Sequence, residues 1–470
     1  MRERETIDVS SDGADLVGGP GLSVRSCRTR LTSCGSAGTV LFACRLDVMV
    51  RAGFDHWHAR HVKVPIARSQ LIAADDMKDS QILISGGGLG GLSAALALAE
   101  NGFEVTVLEK AAEFTEIGYG IQLGPNATRI LKRYGLWDTV STTAVFPEAM
   151  VFLDAIDTEE WARVNLNEAF LARFGHPYVV IHRRDLLGAW LAACQKHPRV
   201  QLLTSKGLAG ITDHGKSVEV RCEDGSRYVG RCLVGADGLL SPTRDYVVGA
   251  EPPRVTGFLA YRGVIPIGKV FDRTYDRSVI GWFGHNIHLV QYALRAGDVL
   301  NNVAVFGSPA FARGESEFGT PAELKAMFEQ AHPRVKSMLE YISLDRNWMM
   351  RDRDPISNWT RGNVTLLGDA AHPTLQYLAQ GACMAFEDSV VLAKRLTEFP
   401  DDPNRAFLAY QKQRVLRTAR VVLTARAFGQ VLHAGGVARD LRNDLFRGRA
   451  PDSFFHEIDW IYRGIPDTEF

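Results

Sequence analysis

Residues 82–109 read ILISGGGLGGLSAALALAENGFEVTVLE, and this stretch decides the fold. A short apolar run, Ile82 to Ile84, leads straight into Gly86-x-Gly88-x-x-Gly91. An Ala- and Leu-rich helical pattern follows, then a second apolar strand that ends at Glu109. The three glycines serve a tight strand-to-helix turn, a close backbone approach to a pyrophosphate and a close helix-to-strand contact. The positive end of the helix then faces the phosphates. Glu109 follows the glycines by about 20 residues, where a carboxylate can grip a ribose diol. Strand, turn, helix, strand and acid in this order predict a βαβ unit that holds an adenine dinucleotide.

The rest of the composition sets limits. A chain of 470 residues has room for two or three domains and a large core. Its 54 Lys and Arg balance 54 Asp and Glu, so no charge excess points to nucleic acid. No apolar run approaches the roughly 18 residues of a membrane span. Seven cysteines are scattered without a CxxC pair, which reads as a reduced, cytoplasmic chain. Residues 1–76 mix Gly, Ser and Arg with no sustained period. The expectation is that Met77 is the natural start and that 1–76 is an N-terminal extension, disordered or not native. Glu3, Glu5, Asp8, Asp12, Asp15 and Asp47 speak against an organelle-targeting peptide. His56, His58 and His61 are not read as a metal site, because no Cys or carboxylate array supports them.

Further motifs lie downstream. Residues 118–129 read GYGIQLGPNATR, a glycine-broken loop entering a helix that carries Arg129. Residues 178–186, YVVIHRRDL, make a strand that runs into an amphipathic helix. Residues 232–244, CLVGADGLLSPTR, and 364–388, VTLLGDAAHPTLQYLAQGACMAFED, are apolar strands ending in Asp237-Gly238 and Gly368-Asp369. Each places a carboxylate at the C-terminal edge of a sheet, where ligands of α/β folds bind. Singly, each reads as a turn with a capping Asp. Residues 281–295, GWFGHNIHLVQYALR, alternate as a strand, with His288, Val290 and Tyr292 on one face and Leu289 and Gln291 on the other. A lone strand histidine is more often a satisfied structural residue than a catalytic one.

Taken together and in this order, the motifs from residue 80 to about 440 resemble the single-component FAD aromatic monooxygenases, the family of salicylate and hydroxybenzoate hydroxylases. The resemblance implies an α/β fold: a Rossmann-like FAD-binding domain with an inserted β-sheet substrate domain and a C-terminal helical region. The FAD-binding segments would be 77–150, 178–250 and 355–398, the substrate segments 151–177 and 251–354, and the helical region 399–470. Gly86, Gly88, Gly91 and Glu109 would hold the ADP half of the cofactor. Arg129 and Arg183 would reach the phosphates and the flavin side. Asp237 would lie near the nicotinamide and pyrophosphate, and Asp369 would bind ribityl or ribose hydroxyls. The helix starting at Gly381 and Ala382 would stabilise anionic reduced flavin with its positive end. A second GxGxxG is missing, which fits a nicotinamide that visits transiently.

Within that family the chain resembles the 3-hydroxybenzoate 6-hydroxylases, on Pro177-Tyr178 with His182-Arg183, the H-x-x-Q-Y strand and the GDAAHP-x-LQYLA-x-GA loop. The resemblance implies FAD-dependent para-hydroxylation of 3-hydroxybenzoate to gentisate, with NADH and O2 acting through a flavin C4a-hydroperoxide. His288 and Gln376 would be catalytic, and Tyr178 and Tyr292 would bind substrate. Tyr178, Trp282, Phe283 and Leu375 are candidate pocket walls. A homodimer is implied as well. Two alternatives stay open: a decarboxylating salicylate 1-hydroxylase giving catechol, and a non-catalytic flavin-binding or redox-sensing protein.

Overall fold

The computed structural model describes residues 81–469 apart from 116–118, 272, 275 and 276. Met77, the 1–76 segment and the His56, His58 and His61 cluster lie outside the described residues. Strands are numbered in chain order. Six of them, β1 (Gln81–Ser85), β2 (Glu104–Leu108), β7 (Val200–Leu203), β11 (Cys232–Gly235), β17 (Thr360–Arg361) and β18 (Val364–Leu366), form one sheet. Its order is β17-β18-β11-β1-β2-β7, parallel except for the β17–β18 edge pair. Ile82, Leu83 and Ile84 are fully buried, as expected of a parallel strand covered on both faces. The helix Leu89–Glu100 is buried along almost its whole length and packs against the helices Arg183–Lys196 and Gly381–Glu398.

A second sheet has seven strands: β4 (Ala149–Asp154), β5 (Glu160–Asn165), β12 (Arg254–Pro266), β13 (Ser278–Gly284), β14 (Ile287–Leu294), β15 (Val299–Gly307) and β16 (Ser343–Asp352). Their order is β16-β12-β15-β14-β13-β4-β5. Alternation along these strands separates two environments. Leu259, Tyr261, Trp282, Leu289 and Phe306 join a core with Leu324 and Phe328 of the helix Pro321–Phe328. Arg262, Phe283, His288, Val290 and Tyr292 point the other way, into a cavity. A two-stranded antiparallel sheet of β3 (Gly120–Leu123) and β6 (Val179–His182), strands far apart in the chain, supplies Gln122 and Ile121 to that cavity, and Tyr178 joins them from just before β6. A small antiparallel sheet of β8 (Leu208–Asp213), β9 (Val218–Cys222) and β10 (Arg227–Gly230) flanks the first. The C-terminal part is helical, with Pro403–Leu432, Val437–Phe446 and Phe455–Tyr462. Among the described residues, no helix is long and apolar enough to cross a membrane.

Candidate active site

One cavity of about 1170 Å³ runs from the glycine turn after β1 to the cavity face of the seven-stranded sheet. At its first end the walls are backbone. Gly86 has φ of +101°, a conformation that favours glycine, and a Cβ there would collide with the Ala236 carbonyl. A Cβ on Gly91 would collide with the Gly86 carbonyl, so Gly91 sets how closely helix and strand approach. Gly91 does this from behind the lining, while Gly86 and Gly88 face the cavity. The helix Leu89–Glu100 has no side-chain cap, which leaves its first amides turned to the open volume. Glu109 is held at this lip: its two oxygens accept from Gly87 N at 2.6 Å and Ala111 N at 2.8 Å.

Asp237 and Asp369, the two carboxylates at strand ends, are used differently. Asp237 lines the cavity but accepts from Ser241 Oγ, Thr243 N, Thr243 Oγ1 and Ser85 Oγ. Burial pushes its carboxyl up, and the bonds from Ser241 and Thr243 work against that shift. Its oxygens are therefore engaged in fixing the 237–243 turn. Asp369 instead stands open to the cavity, beside the start of the helix Gly381–Glu398. That helix has no side-chain cap and no acid in its first turn. Gly381 and Ala382 line the cavity, so about half a positive charge meets whatever ring lies there. Arg183 lines the same region, with Asp369 as its opposing charge, and burial lowers its pKa.

Arg129 departs from its expected place. It is not among the lining residues, and its guanidinium donates to the Ile465 carbonyl at 3.2 Å. The helix Pro125–Arg133 turns it towards the C-terminal segment.

Below the 368–381 loop lies a buried ionic cluster. Asp388 accepts from Gly368 N at 3.1 Å, His372 Nε2 at 2.6 Å and Arg414 Nε at 2.6 Å. Glu387 accepts from Arg414, from Arg417 and from Asn126 Nδ2 at 2.8 Å. Burial pushes the Asp388 carboxyl up, but His372 and Arg414 outweigh it and hold it at about 2. This cluster locks the loop and the helix Gly381–Glu398 onto the helix Pro403–Leu432.

At its far end the cavity is walled by side chains. His288 is 2% exposed and reaches Gln376 Nε2 with its Nε2 at 3.3 Å. Its Nδ1 meets His433 Nε2 at 2.7 Å. Burial, and to a lesser extent His433, pushes the His288 imidazole well below its ordinary pKa. Tyr178 donates to Gln122 Oε1 at 2.5 Å, and burial raises both this phenol and that of Tyr292. The Tyr292 ring lies against Gly120, where any Cβ would strike it. Phe152 and Phe283 stack at 5.7 Å, and Trp161 and Phe428 complete an aromatic wall. Trp282 is not part of that wall. Its strand parity turns it into the opposite core, where it donates to Gln291 at 3.3 Å.

A glycine cradle, an uncapped helix end and an aromatic chamber in one volume fit an isoalloxazine dinucleotide with an aromatic guest. Comparison with known proteins agrees. Residues 79–425 match the model of the FAD binding domain family. The chain belongs to the FAD-dependent aromatic hydroxylases. It is 42% identical over 389 residues to the 3-hydroxybenzoate 6-hydroxylase of Polaromonas naphthalenivorans, covering 83% of this chain and 97% of that protein. It is 40% identical to the enzyme of the same name from Klebsiella oxytoca, covering 82% and 97%. Among solved structures, Klebsiella pneumoniae HpxO complexed with FAD and uric acid superposes with a TM-score of 0.72 at 26% identity, covering 82% of this chain and 97% of that one.

Several residues at the site are not singled out by the sequence motifs. Arg262 faces the cavity between Tyr119 and Trp348, 5.5 and 5.6 Å from their ring centres. Tyr462 and Trp460 arrive from the last helix, and Phe428 from the helix Pro403–Leu432. His433 stands behind His288, outside the lining. An alternation test on β12 would have put Arg262 on the opposite face from Leu259 and Tyr261. Nothing local marks His433 or Tyr462.

Proposed function

We propose that this flavin enzyme hydroxylates 3-hydroxybenzoate para to its hydroxyl group, giving gentisate, with NADH as reductant and O2 as oxygen source. The observation that carries the reading is the pairing of buried His288 with half-buried Gln376 beside the aromatic wall, at the far end of the cavity from the dinucleotide cradle. The names of the relatives at 40 to 42% identity point to the same substrate. Gly86, Gly88, Gly91 and Glu109 would hold the ADP half of FAD, and Asp369, Arg183, Gly381 and Ala382 its flavin half. Bound FAD supplies hydride acceptance from NADH and an electrophilic oxygen drawn from O2.

The chain's own residues prepare the ring for that oxygen. A phenol attacks an electrophile best as its phenolate, so the site needs a proton acceptor at the hydroxyl. His288 is buried and neutral, and a neutral imidazole at Nε2 takes that proton, an effect worth about 10²–10⁴ in rate. Gln376, on the 368–381 loop, would orient the phenol or the reacting oxygen. Tyr178 and Tyr292 line the same chamber and would flank the ring. Arg262 is a cation whose buried Nε has no hydrogen-bond partner among the described residues, and a substrate carboxylate would satisfy it. The apolar wall of Phe152, Trp161, Phe283 and Phe428 keeps water from the reacting oxygen. The reading places the enzyme in the cytoplasm as a homodimer.

The test is product analysis after incubation of the flavin-loaded enzyme with NADH, air and 3-hydroxybenzoate. Gentisate formed in step with NADH consumption is the expected result. NADH loss yielding only H2O2, or catechol formed from salicylate, would mean that the pocket is built for another acid.

A further inference from the structure

The donors and acceptors around His288 can be assigned one by one. Arg262 has only donors, so the atom of Gln376 that meets its Nη2 at 3.5 Å is the amide oxygen. The Gln376 NH2 group therefore points at His288 Nε2, 3.3 Å away. An NH2 group can only donate, so Nε2 of His288 carries a lone pair. A neutral imidazole has a single N–H, which must then sit on Nδ1, 2.7 Å from His433 Nε2. His433 accepts there and keeps its own proton on Nδ1. The run Arg262, Gln376, His288, His433 is a single polarised chain, and reversing any one link would set two donors or two lone pairs against each other.

We propose that His433 is a positioning residue of this hydroxylase: it fixes His288 as the Nδ1–H tautomer, keeps the Nε2 lone pair turned to the cavity, where the substrate phenol takes the place of the Gln376 amide, and receives the Nδ1 proton as Nε2 takes one. The inference rests on the reading of His288 as the base. In the step, the phenol O–H bond breaks and an N–H bond forms at His288 Nε2. The His288 Nδ1–H bond breaks in turn, and one forms at His433 Nε2. No electrons are transferred. One proton has moved from the phenol to His433, and His288 is left neutral.

The surroundings suit this role. His433 caps the C-terminal end of the helix Pro403–Leu432, where orphan carbonyls favour a cation. It stacks on Phe258 at 4.6 Å and lies 5.5 Å from the Tyr377 ring, centre to centre, so its plane is fixed. Burial, together with Arg442 and His285, the other charged or titratable groups that bear on it, outweighs the helix end and lowers its pKa to about 3. The pair therefore rests neutral, and the proton on His433 is transient. Tyr377 also borders His288, at 5.8 Å between ring centres.

Two variants test the role. His433→Phe keeps a flat ring on Phe258 but has no acceptor, and His433→Gln offers an amide oxygen that accepts a hydrogen bond but cannot carry a proton. Since His433 does not line the cavity, KM for 3-hydroxybenzoate should change little. For His433→Phe, kcat should fall about tenfold or more, within the general-base range, with more NADH lost to H2O2. The pH at which bound 3-hydroxybenzoate turns to phenolate, read from its ultraviolet difference spectrum, should rise by about one unit or more. His433→Gln should lie between this variant and the wild type. In 15N-histidine spectra of the substrate-free, flavin-loaded enzyme, His288 should be the Nδ1–H tautomer in the wild type and in His433→Gln, and should switch in His433→Phe.

Wild-type pH behaviour and coupling in both flavin-loaded variants would overturn the proposal. Should His433→Phe fail to bind flavin, His433→Gln decides alone, and an unchanged kcat in it overturns the relay. If the wild type makes no gentisate, the substrate reading fails separately. The tautomer spectra need no substrate, and the kinetic comparison is then run with whichever phenolic acid the wild type hydroxylates.

Discussion

The two ends of the cavity are built from different materials. The dinucleotide end is made of backbone: a left-handed glycine, two uncapped helix ends and strand termini within a single parallel sheet. The aromatic end is made of side chains gathered from β4, β5, β12, β13, β14, the 368–381 loop and the last helices. Backbone sites tolerate almost no change at the few glycines that form them, because a Cβ has nowhere to go. Side-chain sites tolerate change in packing but lose chemistry when one donor or acceptor is removed.

The largest expected effect falls on the backbone end. Gly91→Val drives a side chain into the Gly86 carbonyl and should abolish flavin binding and with it the yellow absorbance of the purified protein. Flavin content near that of the wild type would erase the contrast between the two ends. At the aromatic end, His288→Ala should leave flavin content intact and lower hydroxylation by about 10²–10⁴. Product formation close to wild type would remove His288 from the chemistry.

The ionic cluster beneath the flavin-side loop comes next. Arg414→Met leaves Glu387 and Asp388 buried with less compensation, and unfolding should become easier by about 3–5 kcal/mol. Asp388 is held at about 2 in the folded chain against about 3.9 when unfolded. Its contribution is thus present above about pH 4 and is lost as pH falls towards 2. Arg414→Met should flatten that acid limb, so denaturant midpoints at pH 7 and pH 3 measured for both proteins check the sign. The smallest effect is that of Tyr178→Phe. It removes one hydrogen bond to Gln122 and should cost about 1 kcal/mol, read mainly as a higher KM for the aromatic acid.

The sequence by itself determined the βαβ unit, the parallel sheet and the strand parity that puts His288, Val290 and Tyr292 on one face. These follow from residue-to-residue spacing along the chain: period 2 in a strand, glycines at fixed offsets, a helix start after a loop. The helix beginning at Gly381 was legible for the same reason. Spacing could not decide which way a helix face turns in the assembled fold. Arg129, expected at the cofactor, has its guanidinium on the Ile465 carbonyl, and Trp282, read as a pocket wall beside Phe283, faces the other core as the parity of its strand requires. His433, Arg262 and Tyr462 meet the site only because a C-terminal helix cap, a β12 side chain and the last helix converge on β14 or its cavity face. His433 lies 145 residues from the histidine it touches. Contacts at that separation are set by how the helical region docks on the sheet, and only the tertiary structure supplies them.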